Sequence, residues 1–100
     1  MVDLKQLQKE VYQNKVNHNF NVTDINLEFC LTYEELGEAH NAWCTKKSDL
    51  GEELADVAIY LLGLSEILNI DLEKEILNKI KKNAKRVYKE VNGVIVKEEG

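Results

Sequence analysis

The chain has 100 residues and a net charge of −5, with 44% hydrophobic and 31% charged residues and no proline. This length predicts one helical domain over residues 1–100, in a soluble globular protein. The negative charge argues against a nucleic-acid polymer as partner, because its phosphates would need a basic surface. The polar N-terminus and the lack of a long apolar run predict a cytoplasmic protein with no membrane partner.

The first half of the chain predicts two helices separated by a polar loop. Apolar residues near helical spacing place the first helix from about Leu4 to Lys15. The segment NHNFNVTD then reads as a loop, and Asn21 or Thr23 is the expected N-cap of the second helix. This helix runs to about Cys44, and no proline interrupts it.

The second half predicts two more helices and a short tail. Ser48 or Asp49 caps the third helix, which runs to about Leu68. Asp71 caps the fourth helix, which runs to about Glu90. The Asn-Gly pair that follows ends the helix or starts a turn, and VIVKEEG forms a short strand or frays. We therefore expect an all-α, four-helix bundle-like fold with a short irregular or β-like C-terminal tail.

Acidic residues lie on the helix faces that should be buried. Residues three, four and seven positions apart share one face of a helix. On the second helix this face includes Glu35 and Glu38, and on the third it includes Glu53 and Asp56, all among apolar neighbours. Burying unpaired carboxylates is costly, so two such pairs on facing helices predict a shared hard cation. Mg²⁺ prefers oxygen ligands of this kind.

The alternative explanation is that both acidic rows face solvent and pair with lysine or arginine. It accounts well for a single pair of acids three residues apart, and Glu34 and Glu52 are expected to be solvated in either case. Two pairs, each flanked by leucine, alanine or valine, favour the metal site.

The fourth helix carries a basic stripe that complements the acids. Lys79, Lys82, Asn83 and Arg86 share one face beside an apolar row. On its own, this stripe is better explained as a solvated surface near a helix C-terminus, where the helix dipole favours positive charge. Beside an acidic metal cluster, it predicts binding of phosphate oxygens.

Three segments, taken in order, carry a resemblance to a known family. They are EELGE, EELADVAIYLLGLSEILNIDLEKEI and KIKKNAKR, within roughly residues 25 to 90. The order EExxE, a spacer, ExxD and a terminal K-x-x-x-N-x-x-R resembles the MazG-like family of all-α nucleoside triphosphate pyrophosphohydrolases. The residues that match the acidic pattern are Glu34, Glu35, Glu38, Glu53 and Asp56.

The resemblance implies an enzyme that hydrolyses a nucleoside triphosphate to the monophosphate and pyrophosphate, in house-cleaning of the nucleotide pool. It implies Mg²⁺ as cofactor, with Mn²⁺ as a substitute, and assembly as a homodimer or homotetramer. The implied metal ligands are Glu35, Glu38, Glu53 and Asp56, and the catalytic base is Glu34 or Glu35. The implied substrate contacts are Tyr60, Lys79, Asn83 and Arg86, to which we add Lys82 from the same stripe and Trp43.

The sequence leaves several alternatives open for Trp43 and for the function. Trp43 stacks on a base, packs in the core or lies in a dimer interface. A phosphoribosyl-ATP pyrophosphohydrolase would use the same chemistry, although Trp43 and Tyr60 suit a pocket that grips a free base. A non-enzymatic helical interaction module would use the acidic face for a protein partner and would bind no divalent cation specifically.

Overall fold

The computed structural model describes residues 1–98 as four helices followed by a β-hairpin. The helices are α1 (Leu4–Asn17), α2 (Ile25–Cys44), α3 (Leu50–Ile67) and α4 (Leu72–Lys85), and the strands are β1 (Val87–Val91) and β2 (Val94–Glu98). The prediction of a mainly helical chain with a β-like tail is confirmed for this part of the sequence. None of the described helices is long and apolar enough to cross a membrane.

Aspartate side chains begin three of these helices. Asp3, Asp24 and Asp71 each accept a hydrogen bond from the backbone N–H three residues further on, which satisfies a donor that the helix leaves unpaired. The N-cap predicted at Asn21 or Thr23 is therefore wrong. The Asn21 side chain instead accepts hydrogen bonds from the backbone N–H groups of Thr23 and Asp24, and so forms the turn before the helix.

The fourth helix ends at Lys85, so the prediction that it continues to about Glu90 is wrong. The following residues form β1, which pairs antiparallel with β2. The connection is a two-residue turn in which Asn92 and Gly93 have φ angles of 51° and 79°. An Asn-Gly pair favours this turn because both central residues need a positive φ. Pairing of two valine-containing strands across it outweighs the helical spacing of the same residues.

Helix α3 packs between α1 and α2, whereas α4 packs mainly against α1. Within residues 1–98, the buried apolar side chains are few, and all lie on α2 and α3: Ala39, Ala42, Leu62 and Leu64. Helix α4 has no buried residue, and Leu77 and Ile80 on its apolar side are more than half exposed. Helix α4 therefore contributes little to the buried core of one chain.

A buried ion pair joins α1 to α2. Lys15 Nζ donates a hydrogen bond to Glu28 Oε1 at 2.6 Å, and the two side chains are 8% and 1% exposed. Asn21 Nδ2 donates to the other carboxylate oxygen of Glu28 at 3.2 Å. Gly63 on α3 makes room for this pair, because a Cβ atom there would lie 2.7 Å from Lys15 Cε and 3.2 Å from Val11 Cγ1.

The close approach at Gly63 gives a testable expectation. Gly63→Ala should be less stable than Gly37→Ala by about 1–3 kcal/mol, because the added methyl group presses on the buried Lys15 arm. Gly37 is the matched control, since it is also within a helix and a Cβ there meets nothing within 4 Å. Urea unfolding of both variants measures the difference, and equal stability would show that Lys15 moves aside without cost.

Candidate metal centre

Three carboxylates from two packed helices meet on one side of the α2–α3 pair. Glu35 and Glu38 lie one turn apart on α2, and Glu53 lies in the first turns of α3. One carboxylate oxygen of each residue lies within 4.8 Å of the others. Oxygens at this separation can bind one divalent cation. The structure thus brings together three of the four ligands that the sequence predicts.

Buried oxygens without partners add to this arrangement. Glu35 Oε2 and Glu53 Oε2 are inaccessible to water and have no hydrogen-bond partner among residues 1–98. Asp49 Oδ1, one turn before Glu53, is also buried without a hydrogen-bond partner among these residues. Within the same residues, salt bridges form only at Lys5–Asp71 and Lys15–Glu28, so these acids are not paired with lysine or arginine. Unpartnered carboxylate oxygens are costly to bury, and a cation would compensate for them.

Asp56 differs from the other predicted ligands. It is exposed and lies outside the group of three, so the prediction that it is embedded in a packed face is wrong. Helix α3 packs chiefly against α1 and α2, and the exposure of Asp56 shows that its side chain lies outside both of these contacts. Asp56 is nevertheless close to the centre, because its charge contributes to raising the pKa of both Glu35 and Glu53.

Burial and repulsion raise the pKa of two carboxyl groups of the centre. For Glu35, burial raises the pKa most, followed by the negative charge of Glu38. For Glu53, burial again raises the pKa most, followed by the charges of Asp49 and Glu38, while Lys47 acts in the opposite direction. Without a cation, this centre therefore holds protons more strongly than isolated glutamates do.

The raised pKa values predict how stability depends on pH without metal. The folded state binds these protons more tightly than the unfolded state, so their stabilising contribution is complete below the ordinary glutamate pKa of 4.5 and disappears as pH rises through the raised values. The stability of the unsubstituted protein relative to Glu35→Gln should therefore fall as pH rises from about 4 to about 7. Urea unfolding with a chelator measures this difference, and a rising difference would contradict the repulsion.

An open cleft of about 560 Å³ lies beside the carboxylates. Its lining residues come from α2, from the α2–α3 turn and from α3: Glu34, Gly37, Glu38, Asn41, Ala42, Lys47 and Glu53. The cleft is large enough for a small molecule. The sequence did not point to Asn41 or Lys47, and it indicated Asp49 only as an N-cap of α3, a position that Asp49 does occupy without a side-chain capping bond. The available signals were spacing, since Asn41 follows Glu38 by three residues and Asp49 precedes Glu53 by four.

Tyr60 follows Asp56 by one turn of α3 and is partly buried. Burial raises the pKa of its hydroxyl most, followed by the charges of Glu35, Glu28 and Asp56. The hydroxyl therefore keeps its proton at neutral pH and remains a hydrogen-bond donor beside the centre.

Trp43 lies on a different surface. It lines an apolar groove of about 370 Å³, together with Leu36, Ala39, His40, Leu50 and Leu54. The Trp43 and His40 rings are stacked, with 6.4 Å between their centroids. The Trp43 side chain is 66% exposed. Trp43 is not among the residues that line the acidic cleft. Because the side chain is mostly exposed, the alternative that Trp43 packs in the core is wrong.

The basic stripe of α4 is not brought to the acidic centre within one chain. Lys79, Lys82 and Asn83 are exposed, and Arg86 is partly buried. The pKa of Lys79 is lowered chiefly by the positive charge of Arg86, then by burial and by the charges of Lys82 and Lys97. Lys97 comes from β2, so the hairpin adds a fourth positive charge to this surface. The sequence reading missed it because it did not predict the paired strands.

Comparisons of this chain with protein-family models, with curated proteins and with solved structures find no match. Its class therefore follows from its own geometry. The described residues form a mainly helical protein in which three carboxylates could hold a metal ion beside an open cleft. Divalent cations held by few carboxylates usually keep positions for water and for phosphate oxygens of a substrate.

Proposed function

We propose that this protein is a Mg²⁺-dependent nucleoside triphosphate pyrophosphohydrolase of the MazG-like type, active in house-cleaning of the nucleotide pool. The observation that carries the proposal is the meeting of Glu35, Glu38 and Glu53 at an open cleft. These residues belong to the pattern EExxE followed by ExxD, which is the pattern that motivates the family assignment. The products would be a nucleoside monophosphate and pyrophosphate.

The donor set fits Mg²⁺, with Mn²⁺ as a substitute. Glu35, Glu38 and Glu53 would hold the ion through carboxylate oxygens. Asp56 is proposed as a fourth ligand, because its charge acts on the pKa of Glu35. The two buried oxygens without partners are the feature that a cation best explains. A bound Mg²⁺ supplies charge neutralisation for the triphosphate and makes water easier to deprotonate.

Glu34 is the better candidate for the general base. It is exposed and lines the cleft, whereas Glu35 turns one oxygen inward among the ligands. A base must reach the proton that it removes. In the proposed reaction, water adds to phosphorus at the α–β anhydride, Glu34 accepts its proton, and the bond to pyrophosphate breaks. Lys47, on the same cleft, would donate to phosphate oxygens.

A panel of canonical, deoxy and modified triphosphates, assayed with Mg²⁺, tests this function. The expected result is stoichiometric release of monophosphate and pyrophosphate, and release of orthophosphate alone would show that the reaction is wrong. Including phosphoribosyl-ATP in the panel tests the sister activity. Calorimetry with Mg²⁺ or Mn²⁺ tests the interaction-module alternative, which predicts no specific divalent binding.

The chain is further proposed to work as a homodimer or homotetramer. One chain has an accessible surface of 7849 Å². A compact monomer of 11.5 kDa is expected to have roughly 5,800 Å², so the excess is about 2,000 Å². Its radius of gyration of 16.9 Å compares with about 13 Å for a compact chain of this length. Obligate interfaces bury about 2,000–5,000 Å² counted over both partners, and an excess of about 2,000 Å² on each of two chains lies within this range. In such an assembly, the basic stripe of one protomer can approach the acidic centre of another.

The apolar groove at Trp43 provides a test of this assembly. We expect the protein to sediment as a dimer or tetramer, and Leu36→Glu or Leu54→Glu to shift it towards monomer, because both leucines are more than half exposed in one chain. Lys74→Glu, on the exposed surface of α4, is the control and should leave the mass unchanged. Sedimentation of the unsubstituted protein as a stable monomer would contradict the proposal.

A further inference from the structure

Side chains from α1, α2 and α3 place a buried positive charge against an aromatic ring. Lys15 on α1 bonds to Glu28 on α2, and its Nζ lies 4.7 Å from the centroid of the Tyr60 ring on α3. An ammonium at this distance is attracted to the negative face of the ring, and the attraction is stronger where water is excluded. Lys15 is 7% exposed, so this ammonium is well shielded.

Stability alone is a weak explanation for this ion pair. Replacing a buried ion pair with apolar side chains of similar volume is often neutral or stabilising, because desolvation offsets the attraction. Yet several features hold the ammonium in place. Asn21 occupies the second oxygen of Glu28, and the lack of a side chain at Gly63 admits the lysine arm. The pair therefore calls for a role beyond packing.

Tyr60 connects this pair to the centre. It follows Asp56 by one turn of α3, and the charges of Glu35 and Asp56 act on its hydroxyl. Together with Lys15, its ring also borders a small cavity of about 100 Å³. The ring thus has the buried ammonium near its centroid, and it shares a face of α3 with Glu53 and Asp56, because these residues are seven and four positions before it.

We propose that Lys15 is a positioning residue for Tyr60. Asn21 holds the Glu28 carboxylate, the carboxylate holds the ammonium, and the ammonium orients the ring. The ring then presents its hydroxyl, on the α3 face of Glu53 and Asp56, as a donor to an oxygen of the bound nucleotide. The donor role towards a nucleotide rests on the proposed function. The arrangement of Lys15 and Tyr60 is tested separately from it.

The test uses Lys15→Met/Glu28→Gln, which removes both charges together and leaves no unpaired buried ion. Methionine keeps a long, adaptable side chain, and glutamine still offers an oxygen to Asn21. Gln8→Met is the matched control, since it removes another buried polar group of α1 that bonds only to the α3–α4 connection and the start of α4. All variants are assayed where unfolding measurements show that they are folded.

The expected kinetic result is a fall of about three- to thirtyfold in kcat/KM for the double variant, with Mn²⁺ affinity by calorimetry changed less than about twofold. Tyr60→Phe should lower kcat/KM by a similar factor. Adding Lys15→Met/Glu28→Gln to Tyr60→Phe should lower kcat/KM no further. Gln8→Met should retain kcat/KM. If the unsubstituted protein releases pyrophosphate while the double variant keeps its kcat/KM, the positioning role is wrong and the proposed function stands.

A second measurement does not depend on activity. In protein labelled with ¹³C-tyrosine, the ring signals of Tyr60, assigned with Tyr60→Phe, should shift in Lys15→Met/Glu28→Gln and stay in place in Gln8→Met. Unchanged Tyr60 signals in the double variant overturn the inference whatever the activity. Shifted signals in a protein that hydrolyses no triphosphate support the contact and reject the proposed function.

Discussion

Glu53→Gln is expected to abolish specific Mg²⁺ binding and to lower kcat/KM for pyrophosphate release by roughly a hundredfold or more. Glu53 is the one member of the group of three that α3 contributes, so its loss leaves only the two carboxylates of α2. Changes to groups that merely support metal ligands already cost about 10–100-fold, and a change to a ligand should cost at least as much. Calorimetry and the pyrophosphate assay measure the two effects.

The same variant should be at least as stable as the unsubstituted protein when metal is absent. Glu53 Oε2 is inaccessible and without a partner, and Asp49 and Glu38 repel the charged form. Mg²⁺ should stabilise only the unsubstituted protein, by about 2.7 kcal/mol at a hundred times the dissociation constant. Urea unfolding with a chelator and then with Mg²⁺ measures both quantities.

Glu52→Gln is the matched control, because it makes the same change of charge on the exposed neighbouring side chain. It should retain metal binding, activity and stabilisation by Mg²⁺. If Glu53→Gln unfolds the metal-free protein, Glu53 has a structural partner and the metal-centre interpretation fails. Asp56→Asn extends the series, since a loss equal to that of Glu53→Gln would add Asp56 to the ligands.

Lys15→Met alone is expected to destabilise the protein by about 3–5 kcal/mol, because it leaves the Glu28 carboxylate buried and without its cation. That loss is a large part of the roughly 5–15 kcal/mol by which domains are stable. Adding Glu28→Gln should recover most of it, since the second substitution removes the unpaired charge. Urea unfolding at neutral pH measures the single and double variants.

Lys5→Met is the control for this prediction. It makes the same substitution on α1, but the Lys5–Asp71 pair is 4.0 Å apart and largely solvated, with side chains 59% and 36% exposed. The expected loss there is about 0–1 kcal/mol. If Lys15→Met lowers the free energy of unfolding no more than Lys5→Met does, the prediction is wrong. The Glu28 carboxylate would then have another partner in the variant.

Local spacing was enough to predict the four helices, apart from the end of α4, and three of the carboxylates that meet at the candidate centre. Glu35 and Glu38 share a face of α2 because they are three residues apart, and Glu53 comes near them because a short turn forces α2 and α3 to pack side by side. Tyr60, one turn beyond Asp56, was placed beside the acids by the same periodicity.

Contacts between distant residues could not be predicted in this way. Lys15 lies 13 residues from Glu28 on another helix, and only the packing of α1 against α3 brings its ammonium to Tyr60. Val87 and the residues after it fit helical spacing, and became a strand because a partner strand follows the Asn-Gly turn.

The sequence by itself therefore determined which side chains share a helix face, since that depends on the geometry of a single helix. The tertiary structure alone decided which faces are covered. Helix α4 packs mainly against α1, so its basic stripe is not brought to the acids of α2 and α3, and Asp56 on α3 is exposed. The physical reason is that burial is a property of two surfaces in contact, and the choice of the second surface depends on the whole chain.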